Sequence, residues 1–576
     1  PASTPTPAIH AYHFQVVFVS AQLLLCYLPT PAGDWRSRMM TQPRWLLLFS
    51  SMIGIAGFVG VLVACQASDA MDEEGSQMPP SYPGNEYPSL DGGGSGGGAM
   101  ADAALPPEQE LESEYGSPVA TERYVWVANP VSGRVAYVDA TTLEVRTVPA
   151  GNSPKAIAPV PNPDRDTAIV INELSGDATL LQADDAGNVS TTTFGIANEA
   201  NSWAISPSGR WAIAWANADL YPNPNPVQGF QDISVIDVQT EKVSRLSIGY
   251  RPIAFSFSKG EERAHAVTQD GISVIDLLLP QGPSVSKLIP TSDDDFETSD
   301  TRDVSITPDG SLAFVRQNGS QDVTVVSLTD GHRIRVQLSG ECTDLDLSAD
   351  GTRAIAAIRD QHEIAILPVP QIATAPEDFE VVSIPNVTVG SVVIAAGAPV
   401  AFGFSNAAVE QRMAKIRWDV TPIRVQTMAL HSPVLAVFLA ENASSAIVVH
   451  KDKNSHARAF SALTLDPELP AKIVATQAEV FGVSLTPSGD RAVVAERNDA
   501  SKIFGAYLVR RDNLQIDRYP LFSPPIAVGT VLGAKRAFVA QQHPEGRLTF
   551  IDLDTGLSRT LTGFELAARV IDGSQP

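Results

Sequence analysis

The strongest constraint on this chain is a repeat. Ten short runs with β-strand character recur from residue 124 onward: "YVWVAN" at 124, "TAIVIN" at 167, "WAIAWAN" at 211, "RAHAVTQ" at 263, "LAFVRQN" at 312, "RAIAAIRD" at 353, "VAFGFSN" at 400, "AIVVHKD" at 446, "RAVVAERN" at 491 and "RAFVAQQ" at 536. Their starts lie 41 to 52 residues apart, with no amphipathic helical pattern between them. A unit of that length has room for four short strands but is too small to bury both faces of its own sheet. Such units must stack on their neighbours.

Turn chemistry repeats with the strands. "SPSGR" at 206, "TPDGS" at 307, "SADGT" at 348 and "TPSGD" at 486 each introduce a run. Proline at the second position presets φ, Asp or Ser bonds the local backbone, and Gly takes the left-handed conformation, so this turn reads as a reset between units. A second run often ends in aspartate, as in "VAYVD", "ISVIDVQ", "ISVIDLL" and "LTFIDLD". Asp139, Asp237, Asp276 and Asp552 are thereby placed to accept from turn amides and close a hairpin. A third strand such as "VRTVPA" and a fourth such as "PKAIAPV" complete the unit.

The expected fold class is therefore all-β, a β-propeller of four-stranded blades spanning residues 121–576. The stretch "YVWVANPVSGRVAYVDATTLEVRTVPAGNSPKAIAPV" resembles the YVTN family of propeller repeats in its Val-Ala-Asn opening, its second strand closing on Val-Asp and its Gly-Asn-x-Pro turn. "GYRPIAFSFS" at 249 and "HSPVLAVFLA" at 431 echo its last part, whereas the units between 354 and 445 are degenerate. Ten units exceed the usual four to eight blades. One large ring is the expectation, with two smaller rings as the alternative.

The chain's 65 Asp and Glu against 40 Lys and Arg give a net charge of −25. That balance disfavours nucleic acid and anionic lipid surfaces and suits basic partners or cations. Only Cys26, Cys65 and Cys342 occur, with no CxxC, so a disulfide framework, a thiolate zinc site and c-type haem attachment lack support. Cys342, within strand-like sequence, reads as a small buried hydrophobe.

Upstream of the repeats the chain carries an address. The first methionines are Met39 and Met40, and residues 1–38 read as upstream of the native start. From Met39, Arg44 gives a short positive region, and Trp45 to Val63 an uncharged, mostly apolar one, the pattern of a signal peptide over 39–64. Leu62-Val63-Ala64-Cys65 resembles the bacterial lipoprotein lipobox, which implies cleavage after Ala64 and acylation of Cys65. Several acyl chains anchor stably where one is marginal. Gln66, a residue other than Asp after the cysteine, implies the outer membrane of a Gram-negative cell envelope. A transmembrane signal anchor is the alternative, since the apolar stretch could just span a bilayer. Residues 65–120 then turn to Pro, Gly, Ser and acids, with no Lys or Arg from Gln66 to Ala120, and read as an extended, flexible linker. Within it Gly93-Gly94-Ser95-Gly96-Gly97 matches GxSxG formally, but no strand precedes it and no helix follows to strain the serine into a nucleophile.

The repeats carry no catalytic constellation in sequence. His265, His332, His362, His431, His450, His456 and His543 are scattered and read as isolated loop histidines, and "HEIAI" at 362 lacks the second histidine of a zinc helix. No cofactor is expected, with calcium the one metal the sequence leaves open. Asp293, Asp294, Asp295 and Glu297, with Asp300 and Asp303, supply oxygen ligands but lack the spacing and central glycine of a calcium loop, and an ordinary solvated insertion is the competing reading. Tyr221 and Phe230 flank the insertion "NADLYPNPNPVQGFQ", where aromatics and amides suit contacts to a peptide or glycan, or simply pack over a blade edge. The leading functional expectation is a lipid-anchored binding or scaffolding platform for an envelope protein, a peptide or a glycan. The alternative, implied by the YVTN resemblance, is a propeller enzyme of the lactonase or quinoprotein or copper oxidoreductase type.

Overall fold

The computed structural model describes residues 60–61, 116–221, 229–292, 302–465 and 468–563. The ten repeats form ten antiparallel sheets of four consecutive strands each, one of them extended by a short fifth strand. The sheets, here blades 1 to 10, span 119–149, 154–195, 202–247, 254–289, 302–337, 344–383, 391–429, 434–475, 479–520 and 525–562. In each the chain runs outward: the first strand lines the centre and the fourth forms the rim. The rim strands stay wet, as in Lys242–Ser247 and Ser558–Thr562, while all six residues of Tyr124–Asn129 are buried. A strand buried on both faces needs a continuous apolar run, and the second strands have one because every sheet is covered on both sides by neighbours.

Ten apolar clusters, one at each junction between successive blades, hold the sheets together. The last closes the circle, packing Val125, Val127, Ala136 and Val138 of blade 1 against Ala527, Val531, Phe538 and Phe550 of blade 10. Across the same seam Arg536 Nη1 donates to the Ala140 carbonyl at 2.6 Å. The repeats therefore make one ring. Among the described residues blades 1 and 10 share no strand, so closure of this seam rests on side-chain contacts. The fifth strand, Gly60–Val61, pairs with Val483 and Gly482 on the central strand of blade 9; these two residues fall in the segment read from sequence as the signal peptide.

The unit length read from the sequence holds, and its phase shifts. "PKAIAPV" (Pro154–Val160) is not the fourth strand of the first unit; it is the central strand of blade 2, paired with Asp166–Asn172. The "SPSGR"-type turn is likewise not a reset between units, because it joins the first strand of a blade to the second. Its chemistry is as expected. Ser206, Thr307, Ser348 and Thr486 each accept, through the side-chain oxygen, the amide that starts the second strand, at 3.0 to 3.2 Å. Gly209 has φ +73°, and a Cβ there would lie 1.8 Å from the Pro161 carbonyl oxygen. Of the hairpin aspartates, Asp139, Asp237 and Asp552 each accept from two turn amides between 2.7 and 3.1 Å. Asp276, ahead of a longer loop, takes Arg263 instead at 3.1 Å.

Candidate functional site

Antiparallel order puts the loops between second and third strands on the same face of the ring as the links from one blade to the next. We call this the linker face. The central strand of each blade starts there.

The channel wall of blade 6 carries the chemistry that stands out. Its central strand, Asp344–Leu347, alternates: Leu345 and Leu347 pack into the apolar junction with blade 5, which turns Asp344 and Asp346 to the opposite side. The Val392 amide of blade 7 donates to Asp344 Oδ2 at 2.8 Å, and the Leu345 amide donates to Oδ1 at 3.0 Å. Both carboxyls keep partial solvent contact yet sit deep among protein atoms. Desolvation pushes Asp344 up to about 6, offset in part by those amides and by the Arg316 guanidinium. Burial and the neighbouring Asp344 charge push Asp346 well above the ordinary carboxylate range. Two carboxyls that interact in this way titrate as a coupled pair.

Around the pair, buried Arg316 of blade 5 forms an ion pair with Asp303 and donates to Asn318 Oδ1 at 2.7 Å. The Thr343 hydroxyl donates to the Gly390 carbonyl at 2.9 Å, tying blade 6 to blade 7. Cys342 is fully buried, its thiol pushed up to about 12 by desolvation, and it donates to the Asp344 carbonyl at 3.4 Å.

No known family profile and no curated protein matches this chain. Among solved structures it is similar to a dihydro-heme d1 dehydrogenase, NirN, in complex with DHE, at 13% identity and a TM-score of 0.41, covering 76% of this chain and 80% of that one. Hydrazine synthase of Kuenenia stuttgartiensis is similar at 15% identity and TM-score 0.30, over 64% of this chain and 97% of that one. A functionally unknown protein from Desulfotomaculum acetoxidans follows at 13% identity and TM-score 0.28, over 45% and 84%. Similarities this remote carry no functional argument, and the site is argued from its own geometry.

The residues singled out from sequence are distributed as follows. Ala64, Cys65 and the acids Asp293, Asp294, Asp295 and Glu297 lie outside the described residues. Among the described residues no three His, Cys, Asp or Glu side chains converge as metal ligands. Tyr221 and Phe230 stack on each other with ring centroids 5.1 Å apart; the Tyr221 hydroxyl donates to the Glu199 carbonyl at 2.5 Å, and Phe230 is buried with Ala216 and Ala218. Reading the histidines as loop residues fails for two of them. His265 and His450 sit on second strands with no exposure, each depressed to about 4 chiefly by desolvation. Ser461 and the Pro433 carbonyl partner the His450 ring, at 2.6 and 3.3 Å, whereas neither ring nitrogen of His265 has a partner.

One more polar feature lies on the outer wall between blades 7 and 8, a cleft of about 230 Å³ lined by Lys415, Arg417, Arg424, Gln426, Leu465 and Glu468. Its charges largely answer one another. Arg417 forks onto Asp419 at 3.1 and 2.5 Å, and Glu468 takes Gln426 at 2.8 Å and Lys415 at 4.0 Å.

Sequence reasoning passed over Asp344 and Asp346. "TDLDLSADG" has the alternation of any half-exposed strand, and its polar positions become a site only because the ring sets blade 7 against them. The signal was present as two acids at i and i+2 on a strand that opens a unit.

Proposed function

We propose that the protein is a lipid-anchored cell-envelope platform, held at the outer membrane through acyl chains on Cys65, whose channel wall receives a cationic group of a protein or peptide partner. The Asp344 and Asp346 pair carries this reading. A lysine ammonium or arginine guanidinium placed against the two carboxyls takes the place of the proton bound there, and the net charge of −25 steers basic segments toward the ring. Binding is therefore proton-linked. Affinity rises with pH as the pair gives up its protons and is weakest below about pH 6, where Asp344 is protonated as well.

Calorimetry with a tetralysine peptide tests this. Wild-type protein should bind at pH 7.5 with release of a proton, seen as a buffer-dependent enthalpy, and Asp344→Asn or Asp346→Asn should weaken binding about tenfold or more. Equal affinity in wild type and both variants would remove the pair from the function. Calcium, titrated separately, reads whether a metal takes the same place.

The same pair supports a second reading. Two carboxyls with separated proton affinities also suit general acid and base catalysis, as in a lactonase-type propeller enzyme. Turnover of a lactone that is lost in Asp346→Asn, or a stoichiometric copper or quinone in the purified protein, would favour it.

A further inference from the structure

Among the described residues, twelve large apolar side chains are exposed, five on the linker face, four on the opposite face and three on rim strands, but the most exposed of them cluster on one face. Five are more than 70% exposed: Val131 at 74%, Leu174 at 73%, Val409 at 80%, Phe522 at 75% and Leu557 at 72%. Four of them occupy the linker face. Val131, Leu174 and Val409 sit between second and third strands of blades 1, 2 and 7, and Phe522 sits on the link into blade 10. Leu557 lies on the opposite face, in the hairpin before the rim strand of blade 10. Hydrogen bonds tie the two loop types of the linker face together: the Leu174 amide donates to the Asn152 carbonyl at 3.2 Å, and the Gln542 amide to the Pro524 carbonyl at 2.7 Å.

The amino-terminal segment joins the ring on this same face. The Gly116 amide donates to the Ala128 carbonyl at 3.2 Å, at the end of the second strand of blade 1 and one loop from Val131. In sequence, the 50 residues 66–115 separate Cys65 from that point. A chain of that length spans at most about 170 Å whatever its conformation. The ring would thus be held within reach of the membrane by the very face that bears the apolar tips.

Charge favours contact as well. The tips "NPVSG" (129–133) and "FSPP" (522–525) contain no ionisable side chain, in "NELSG" (172–176) the one acid, Glu173, is paired with Lys155 at 2.5 Å, and beside Val409 the Glu410 carboxylate takes the Thr388 amide at 2.7 Å. The tips are separate points on Gly-, Pro- and Ser-rich loops instead of a continuous patch with a core, which fits a fluid headgroup layer better than a protein surface.

We propose that the linker face rests on a zwitterionic lipid surface, with Phe522, Val131 and Leu174 dipping into its apolar margin on one arc of the ring and Val409 on another. The proposal rests on the reading of Cys65 as the point of membrane attachment. Attachment removes most of the cost of finding the surface, so four small contacts suffice to set the orientation. The channel mouth beside Asp344 then opens toward the membrane.

The test uses the chain from Cys65 onward on phosphatidylcholine vesicles, with a polarity-sensitive fluorophore on single cysteines: Val131→Cys, Leu174→Cys, Val409→Cys, Phe522→Cys and, as control, Leu557→Cys. Cys342 is buried and stays unlabelled. The expected result is a blue shift and quenching by a lipid-borne quencher at the first four positions, with the control quenched only by aqueous iodide. A parallel series carries Cys65→Ser and a hexahistidine tag ahead of residue 65, on vesicles holding a nickel-chelating lipid. It separates the two failures: if acylation is wrong, the untagged protein does not float with vesicles while the tagged series still reads the face. Iodide access equal at all five positions on floating vesicles would overturn the docking. So would protection that appears in native envelope fragments but not in vesicles, which would mean a protein covers the face.

Discussion

His265 offers a perturbation whose size follows from its surroundings. It lies on the second strand of blade 4, fully buried at the junction with blade 5, and neither ring nitrogen has a partner. Gly310 of the blade 5 turn abuts it so closely that a Cβ there would lie 2.6 Å from the ring. The charged groups facing it are Arg263 and Asp276 of its own blade and Asp309 of the next; desolvation first and Arg263 second hold it at about 4, against 6.5 unperturbed. A depressed folded-state value means that the neutral ring is the stable one. Above pH 6.5 the protonation equilibrium costs nothing; as pH falls the unfolded chain takes the proton first, and stability drops until the folded state titrates near pH 4. At 1.36 kcal/mol per unit the loss totals about 3 kcal/mol. His450 adds a loss of the same sign, while Asp344, raised to about 6, works in the opposite sense because protonation favours its folded form. The wild-type pH profile therefore mixes signs, and a variant is needed. His265→Leu removes two unpartnered buried nitrogens and should match or exceed wild-type stability by about 1–2 kcal/mol at pH 7. Urea titrations at pH 7, 5.5 and 4.5 should show the gap in favour of Leu widening by about 2.4 kcal/mol. A gap constant across that range would refute the assignment of a buried neutral imidazole.

Other consequences are as direct. Glu496, fully buried, accepts from the Gln477 and Ala478 amides, the Tyr507 hydroxyl and Arg518 between 2.7 and 3.1 Å, so Glu496→Ala should cost about 3–5 kcal/mol in a denaturant titration. Cys342 should be silent to a thiol reagent in the native protein and react once denaturant unfolds it. Phe538→Ala should cost about 3–5 kcal/mol, and hydrogen exchange should rise first in blades 1 and 10, the two sides of the seam.

Much of this architecture could be read from the chain, and the limits have physical causes. The ten runs that define the repeat are the second strands, buried on both faces and therefore apolar without interruption, which is why they stand out. Their spacing yields the number of blades and the unit length. Phase is different: whether Pro154–Val160 ends one sheet or begins the next is decided by which strand offers it hydrogen bonds, and no local pattern encodes that. The units between 354 and 445 look degenerate because turn residues vary there, yet Ile355, Phe402 and Ala414 still fill the junctions and the blades form. The histidines misled for a related reason. His265 follows Ala264 within an ordinary strand run, and only the neighbouring blade buries it. Asp344 and Asp346 look like a wet strand face until the ring closes.

Every functional statement depends on one closed ring. Electron microscopy of the purified protein, viewed down the ring axis, tests this most directly. The account predicts a single closed ring of ten spokes with an open centre. Two smaller rings, or an open arc with a gap between blades 10 and 1, would contradict it and take with it both the channel carboxylate pair and the membrane-facing orientation.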